Sequence, residues 1–78
     1  MTYYVTFYSH YGAMHYKKYS KEKGVDVKMM PVPRDISSSC GTCVGLNTKP
    51  EVPESFHDEI ELVVEKTSDG YKIIYDGR

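Results

Sequence analysis

ELVVEKTSDGYKIIYDG, residues Glu61 to Gly77, is the stretch on which the fold turns. Two structures compete for it. As strands, ELVVEK and YKIIYDG flank TSDG, and Asp69-Gly70 is a hairpin turn signal. Taken with the residues before it, the first half reads as a helix. Phe56, Ile60, Val63 and Val64 follow an i, i+4, i+7, i+8 spacing. Pro53 suits a first helical turn, and Ser55 with Asp58 resembles a capping box. These start signals predict a helix ending near Lys66, with Asp69-Gly70 turning into a final strand from Tyr71 to Tyr75. The hairpin is the alternative.

Working outward, TYYVTFYS at the N-terminus is β-branched and aromatic, the composition of a strand. Its alternation puts Tyr3, Val5 and Phe7 on the core side and Tyr4, Thr6 and Tyr8 on the other. A helix is predicted from about Tyr11 to Lys23, with Ser9 or His10 as its cap and Gly24 as its left-handed stop. VDVKMM then alternates as a strand. Pro31 and Pro33 remove ladder donors, which places that strand at a sheet edge and takes the chain out of the sheet. TCVGLN, with Val44 and Leu46 on one face, reads as a short strand. The order β-α-β-β-α-β is the ferredoxin-like plan, an α+β fold with two helices on one face of a four-stranded antiparallel sheet. One domain, residues 1–78, is expected. The other sheet face is expected to be open, to carry Tyr4, Thr6, Tyr8 and Cys43, and to offer a homodimer surface.

Seventy-eight residues, 40% of them hydrophobic, suit one modest core. The net charge of -1 with histidines neutral gives no support to nucleic-acid binding, which relies on a basic patch. No apolar run approaches the roughly 20 residues of a membrane span. MTYYVTFYSH lacks the basic start and long apolar stretch of a secretory signal. A cytoplasmic protein with no membrane partner is expected. No Walker-type loop, G-x-G-x-x-G or G-x-S-x-G occurs, so nothing points to a nucleotide enzyme or a classical hydrolase. The carboxylates Glu51, Glu54, Asp58, Glu59 and Glu61 read as a solvated helix face.

Both cysteines lie in PRDISSSCGTCV, residues Pro33 to Val44. The segment is too polar for a core. A thiolate is the nucleophilic form of cysteine, and its stabilisers here are local. Ser37, Ser38 and Ser39 offer hydroxyls, Gly41 and Thr42 offer amides, and Arg34 adds a guanidinium. Cys40 is the candidate nucleophile. Cys43 is a candidate resolving thiol, able to close a disulfide when Cys40 is oxidised or loaded. A Ser- and Gly-rich loop also simply turns a chain, and small cysteines also pack passively. Zinc needs about four ligands. Cys40 and Cys43 supply two, while His10, His15 and His57 are scattered, so no metal and no cofactor are expected. A histidine arriving in space, or two C-x-x-C pairs joined in a dimer, is the remaining route to zinc.

The run KMMPVPRDISSSCG resembles the signature of a family of very short bacterial proteins described as selenium/sulfur carrier-like, formerly a domain of unknown function. Its members open with a strand such as YLVTF, here Tyr4 to Phe7, and run through a helix and a second strand into a P-V-P-R-x-x-S-S-x-C-G loop. The match falls on Pro31, Val32, Pro33, Arg34, Ser37, Ser38, Cys40 and Gly41. It covers residues 3 to about 46 well and the tail loosely. The resemblance implies that Cys40 carries the sulfur or selenium atom, with Arg34 and the serines shaping its pocket. Members often continue from Cys-Gly into apolar residues. Thr42 and Cys43 follow here, a departure that adds a disulfide to the chemistry in view. The expectation is a carrier or adaptor rather than a stand-alone enzyme, receiving sulfur or selenium on Cys40 from a donor protein and passing it to an acceptor. The alternatives are a thiol-disulfide module using Cys40 and Cys43, and a non-catalytic interaction protein.

Overall fold

The computed structural model describes residues 2–36 and 38–78. Strand β1, Thr2–Phe7, leads into helix α1, His10–Glu22; then come β2, Lys28–Pro31, and β3, Thr42–Leu46. A single 3-10 turn, Glu54–Phe56, precedes β4, Ile60–Thr67, and β5, Gly70–Asp76. The five strands form one sheet in the order β2-β3-β1-β4-β5. Every neighbouring pair is antiparallel.

The ferredoxin-like expectation is overturned at the stretch that decided it. Residues predicted as the end of a second helix form β4, which pairs with β1 on one side and β5 on the other. The physical reason is burial on both faces. Ile60, Glu61, Leu62, Val63 and Val64 are all buried, between 0% and 6% exposed. A helix lying on a sheet buries one stripe, whereas a strand covered on both faces hides every residue of a continuous apolar run. Ile60 and Val63 belong to the helix-side core, and Leu62 and Val64 to a second cluster on the opposite face. The helical spacing of Phe56, Ile60, Val63 and Val64 was therefore coincidental. Of the helix-start signals, Pro53 caps only the short 3-10 turn. The alternative hairpin is the structure formed: Thr67 pairs with Gly70 across it.

Elsewhere the local signals hold. Ser9 caps α1 by accepting a 3.3 Å hydrogen bond from the Gly12 N–H. Gly24, at φ 75°, follows its end in the left-handed conformation that favours glycine. Tyr3, Val5 and Phe7 face the core under α1, with Ala13 and Tyr16 above them. Phe7, Tyr16 and Phe56 form an aromatic chain with centroids 5.7 and 5.2 Å apart. β2 is an edge strand and ends at Pro31. It is shorter than the expected alternation, because the chain from Val25 to Val27 is irregular.

The face expected to be open is covered where the cysteine lies. Thr6 pairs with Cys43, so both side chains point away from α1, and both are fully buried. The cover is the loop between β2 and β3. Its Ile36 joins Leu62 and Val64 in the second cluster, with Val32, Tyr4 and Tyr71 packed around it. Tyr8, also assigned to that face, lies beyond β1, and its hydroxyl donates to the Gly77 carbonyl at 2.8 Å.

Candidate functional site

The β2–β3 loop is shaped by its sequence. Pro31 and Pro33 hold the chain extended as it leaves the sheet. The loop is pinched at its base, where the Val32 N–H donates to the Gly41 carbonyl at 3.1 Å. At its far end it turns, with the Ile36 N–H donating to the Pro33 carbonyl at 3.0 Å. Gly41 takes φ 72°, a left-handed conformation costly to any residue with a Cβ, and this reversal sends the chain back into β3.

β4 holds the loop through two hydrogen bonds. The Ser39 N–H donates to Glu61 Oε1 at 3.0 Å, and the Ser39 hydroxyl donates to Oε2 at 2.9 Å. Glu61 reaches the loop because of a bulge. Thr6 pairs with Leu62 and Phe7 with Ile60, which leaves Glu61 as the extra residue on β4. A bulge re-aims a side chain that strict alternation would send elsewhere. The buried carboxylate thus finds two donors, as a buried charge requires.

Cys40 follows Ser39 directly. Its side chain is half-buried and rests against the helix-side core. Its N–H donates to the Ser38 hydroxyl at 3.5 Å, and its thiol donates to the Thr42 carbonyl at 3.4 Å. The Thr42 hydroxyl lies 3.4 Å from Nδ1 of His10, the first residue of α1. The candidate loop therefore sits at the end of the molecule where β1 finishes, α1 begins and β3 enters the sheet.

Cys43 has a different environment. It is fully buried, and its thiol points to the Pro31 carbonyl at 3.7 Å. Burial pushes its pKa up to about 11, and the neighbouring Cys40 adds to the effect. Both cysteines are free thiols. They lie on opposite sides of the sheet: Cys40 against the α1 core, Cys43 beside Thr6 under the loop.

The structure thus gathers Ser38, Ser39, Cys40, Gly41 and Thr42 at one point and sets Cys43 apart. The group in contact with the Cys40 sulfur is a carbonyl, that of Thr42, and among the described residues no N–H donates to it. Arg34 is exposed on the loop, with no hydrogen bond or ion pair among the described residues. Ser37 lies outside the described residues. Of the histidines, His10 alone contacts the described residues of the loop and its exit. His15 pairs with Glu59 at 2.9 Å and stacks on Phe56, and His57 lies against Tyr75. Among the described residues no three His, Cys, Asp or Glu side chains are placed to hold a metal ion. None of their helices is long and apolar enough to cross a membrane.

Two members of this site were not read from the sequence in these roles. Glu61 was assigned to a solvated helix face. The usable signal was an acid set inside the apolar run Ile60 to Val64, where burial demands a partner. His10 was read as a cap or a distant zinc candidate, and only the folded chain brings it to Thr42.

Among the described residues, then, one helix lies on a five-stranded antiparallel sheet, and a half-buried thiol sits in a loop tied to β4. The model of the family described as "Putative Se/S carrier protein-like" matches residues 2–76, and the chain belongs to that family. No curated protein and no solved structure matches the chain.

Proposed function

We propose that the protein carries sulfur or selenium on Cys40 between a donor and an acceptor protein. The observation that supports this is the contrast between its two thiols: Cys40 is half-exposed on an anchored loop, while Cys43 is sealed and ionises only near about 11. Near neutral pH a thiol of that kind supplies almost no thiolate, so Cys40 is the one left to act as nucleophile.

The loading step needs no oxidant. Cys40 releases to bulk water the proton it donates to the Thr42 carbonyl, and its sulfur attacks the outer sulfur of a donor persulfide, R–S–SH. The S–S bond of the donor breaks, R–S⁻ leaves, and Cys40 becomes Cys40–S–SH. A selenium analogue transfers in the same way, and unloading reverses the attack on an acceptor nucleophile. Ser38, Ser39 and Gly41 fix the loop around the sulfur, Thr42 takes part through its carbonyl, and Arg34 is free to meet an incoming anion.

Intact-mass measurement after incubation with glutathione persulfide tests the reading. The expected result is one added sulfur atom on the wild-type chain and on Cys43→Ser, with none on Cys40→Ser. Loss of two hydrogens in place of a gain of sulfur would transfer the case to a Cys40–Cys43 disulfide module. No mass change with any persulfide donor would end the carrier proposal.

A further inference from the structure

The protein's net charge is -1, yet one face of α1 is strongly basic. Lys17, Lys18 and Lys21 are exposed on it, and among the described residues none of them forms an ion pair. They stand beside apolar surface. Met14 is 56% exposed, three residues before Lys17 and on the same helix face. Across from it, Met29 of the edge strand β2 completes a groove walled by Met14, Lys17, Lys18 and Lys21. The groove continues past Lys17 and Lys21 along Val25 and Val27, with Asp26 as its one acid.

Three features of this groove define its occupant. It is lined by three lysines, in no ion pair among the described residues, against one acid, Asp26, so the occupant is acidic. Its apolar lining is two methionines and two valines, so the occupant also brings apolar side chains; methionine adapts to such contacts. One border is β2, a sheet edge whose outer side has no neighbouring strand, and an extended backbone can align with such an edge. An RNA strand fits less well. The groove's lining holds no aromatic ring on which a base could stack.

We infer that the groove between α1 and β2 is a docking site for an extended acidic segment of a partner protein, with apolar residues alternating between its carboxylates. The site stands apart from Cys40 but leads towards it. β2 runs from the groove to Pro31, whose ladder partner is Thr42, two residues beyond Cys40. Under the carrier reading, and resting on it for this point alone, the partner is the donor or the acceptor.

The experiment uses the full chain and a fluorescein-labelled synthetic peptide that alternates glutamate with valine and contains no cysteine. Fluorescence anisotropy is read against a matching lysine–valine peptide and a single-stranded RNA oligonucleotide. The acidic peptide is expected to bind, to weaken with added salt, and to lose roughly tenfold or more in affinity in Lys17→Glu/Lys21→Glu. Met14→Gln is expected to weaken it as well. Lys17→Gln/Lys21→Gln gives a milder charge change should the double reversal disturb the helix. Absence of binding, equal binding of the RNA, or acidic-peptide binding indifferent to both lysine variants would each overturn the inference. Because the probe has no thiol, Cys40→Ser must bind it like the wild type, and failure of sulfur loading leaves this result untouched.

Discussion

The Ser39–Glu61 pair ties the residue before Cys40 to β4. A carboxylate that accepts two hydrogen bonds inside a protein is worth more than a neutral acceptor in the same place, because each bond is charge-assisted. In Glu61→Gln, the amide oxygen can still accept from the Ser39 N–H and the amide nitrogen can donate to the Ser39 hydroxyl, but both bonds lose their charge assistance. The expected loss is about 1–3 kcal/mol of stability by urea denaturation. Release of Ser39 is also expected to change the rate of Cys40 alkylation, with Cys43 replaced by serine so that only one thiol reports. An unchanged urea midpoint together with an unchanged alkylation rate would show that the clamp does not hold the loop. The same acid illustrates how legible a site residue is in sequence. Cys40 and its serines stand out by composition. Glu61 is conspicuous only once its neighbours are known to be buried, since an acid in a helix and an acid at a bulge are the same letter.

At the level of elements, the sequence told α1, the edge position of β2 and the core side of β1 correctly, because each has a local cause: a cap, a proline, an alternation. β4 was misread because its cause is not local. A strand buried on both faces loses its period of two, and what buries its second face is a loop about thirty residues upstream in the sequence. That loop contributes Ile36, and its effect can be measured. Ile36→Ala is expected to cost about 2–5 kcal/mol and to let alkylating agents reach Cys43 far faster than in the wild type. Beneath the same cover, the Thr6 hydroxyl is fully buried and, among the described residues, without a hydrogen-bond partner. Thr6→Val keeps the shape and removes the stranded polar atom, so it is expected to raise stability by about 1–3 kcal/mol. A lower urea midpoint in Thr6→Val would show that the hydroxyl has a partner in solution.

For the whole molecule, two buried groups on opposite faces of the sheet respond together to alkaline pH. Cys43 ionises near about 11 when folded against an ordinary 9.0, and Tyr16, whose hydroxyl donates to the Glu51 carbonyl at 2.7 Å, near about 12 against 10.0. Burial is the leading cause in both; Tyr19 and Glu51 add to it for Tyr16. Each group keeps its proton longer in the folded chain than in the unfolded one. The stability this gives is complete below the unfolded value and is lost as pH rises through the folded one. Urea midpoints are therefore expected to be insensitive to these two groups below about pH 9 and to fall between about 9 and 11 as Cys43 contributes. Tyr16 extends the fall to about 12. Cys43→Ala should delay the onset into the tyrosine range, and an identical pH profile in that variant would contradict the assignment. The covering loop also has an evolutionary meaning. A protein that keeps its proposed carrier segment and its roof in one stretch of chain cannot alter the first without loosening the second. Libraries varied between Pro33 and Gly41 should lose folded yield and chemistry together, and new reactivity should emerge mainly from backgrounds first given stability to spare.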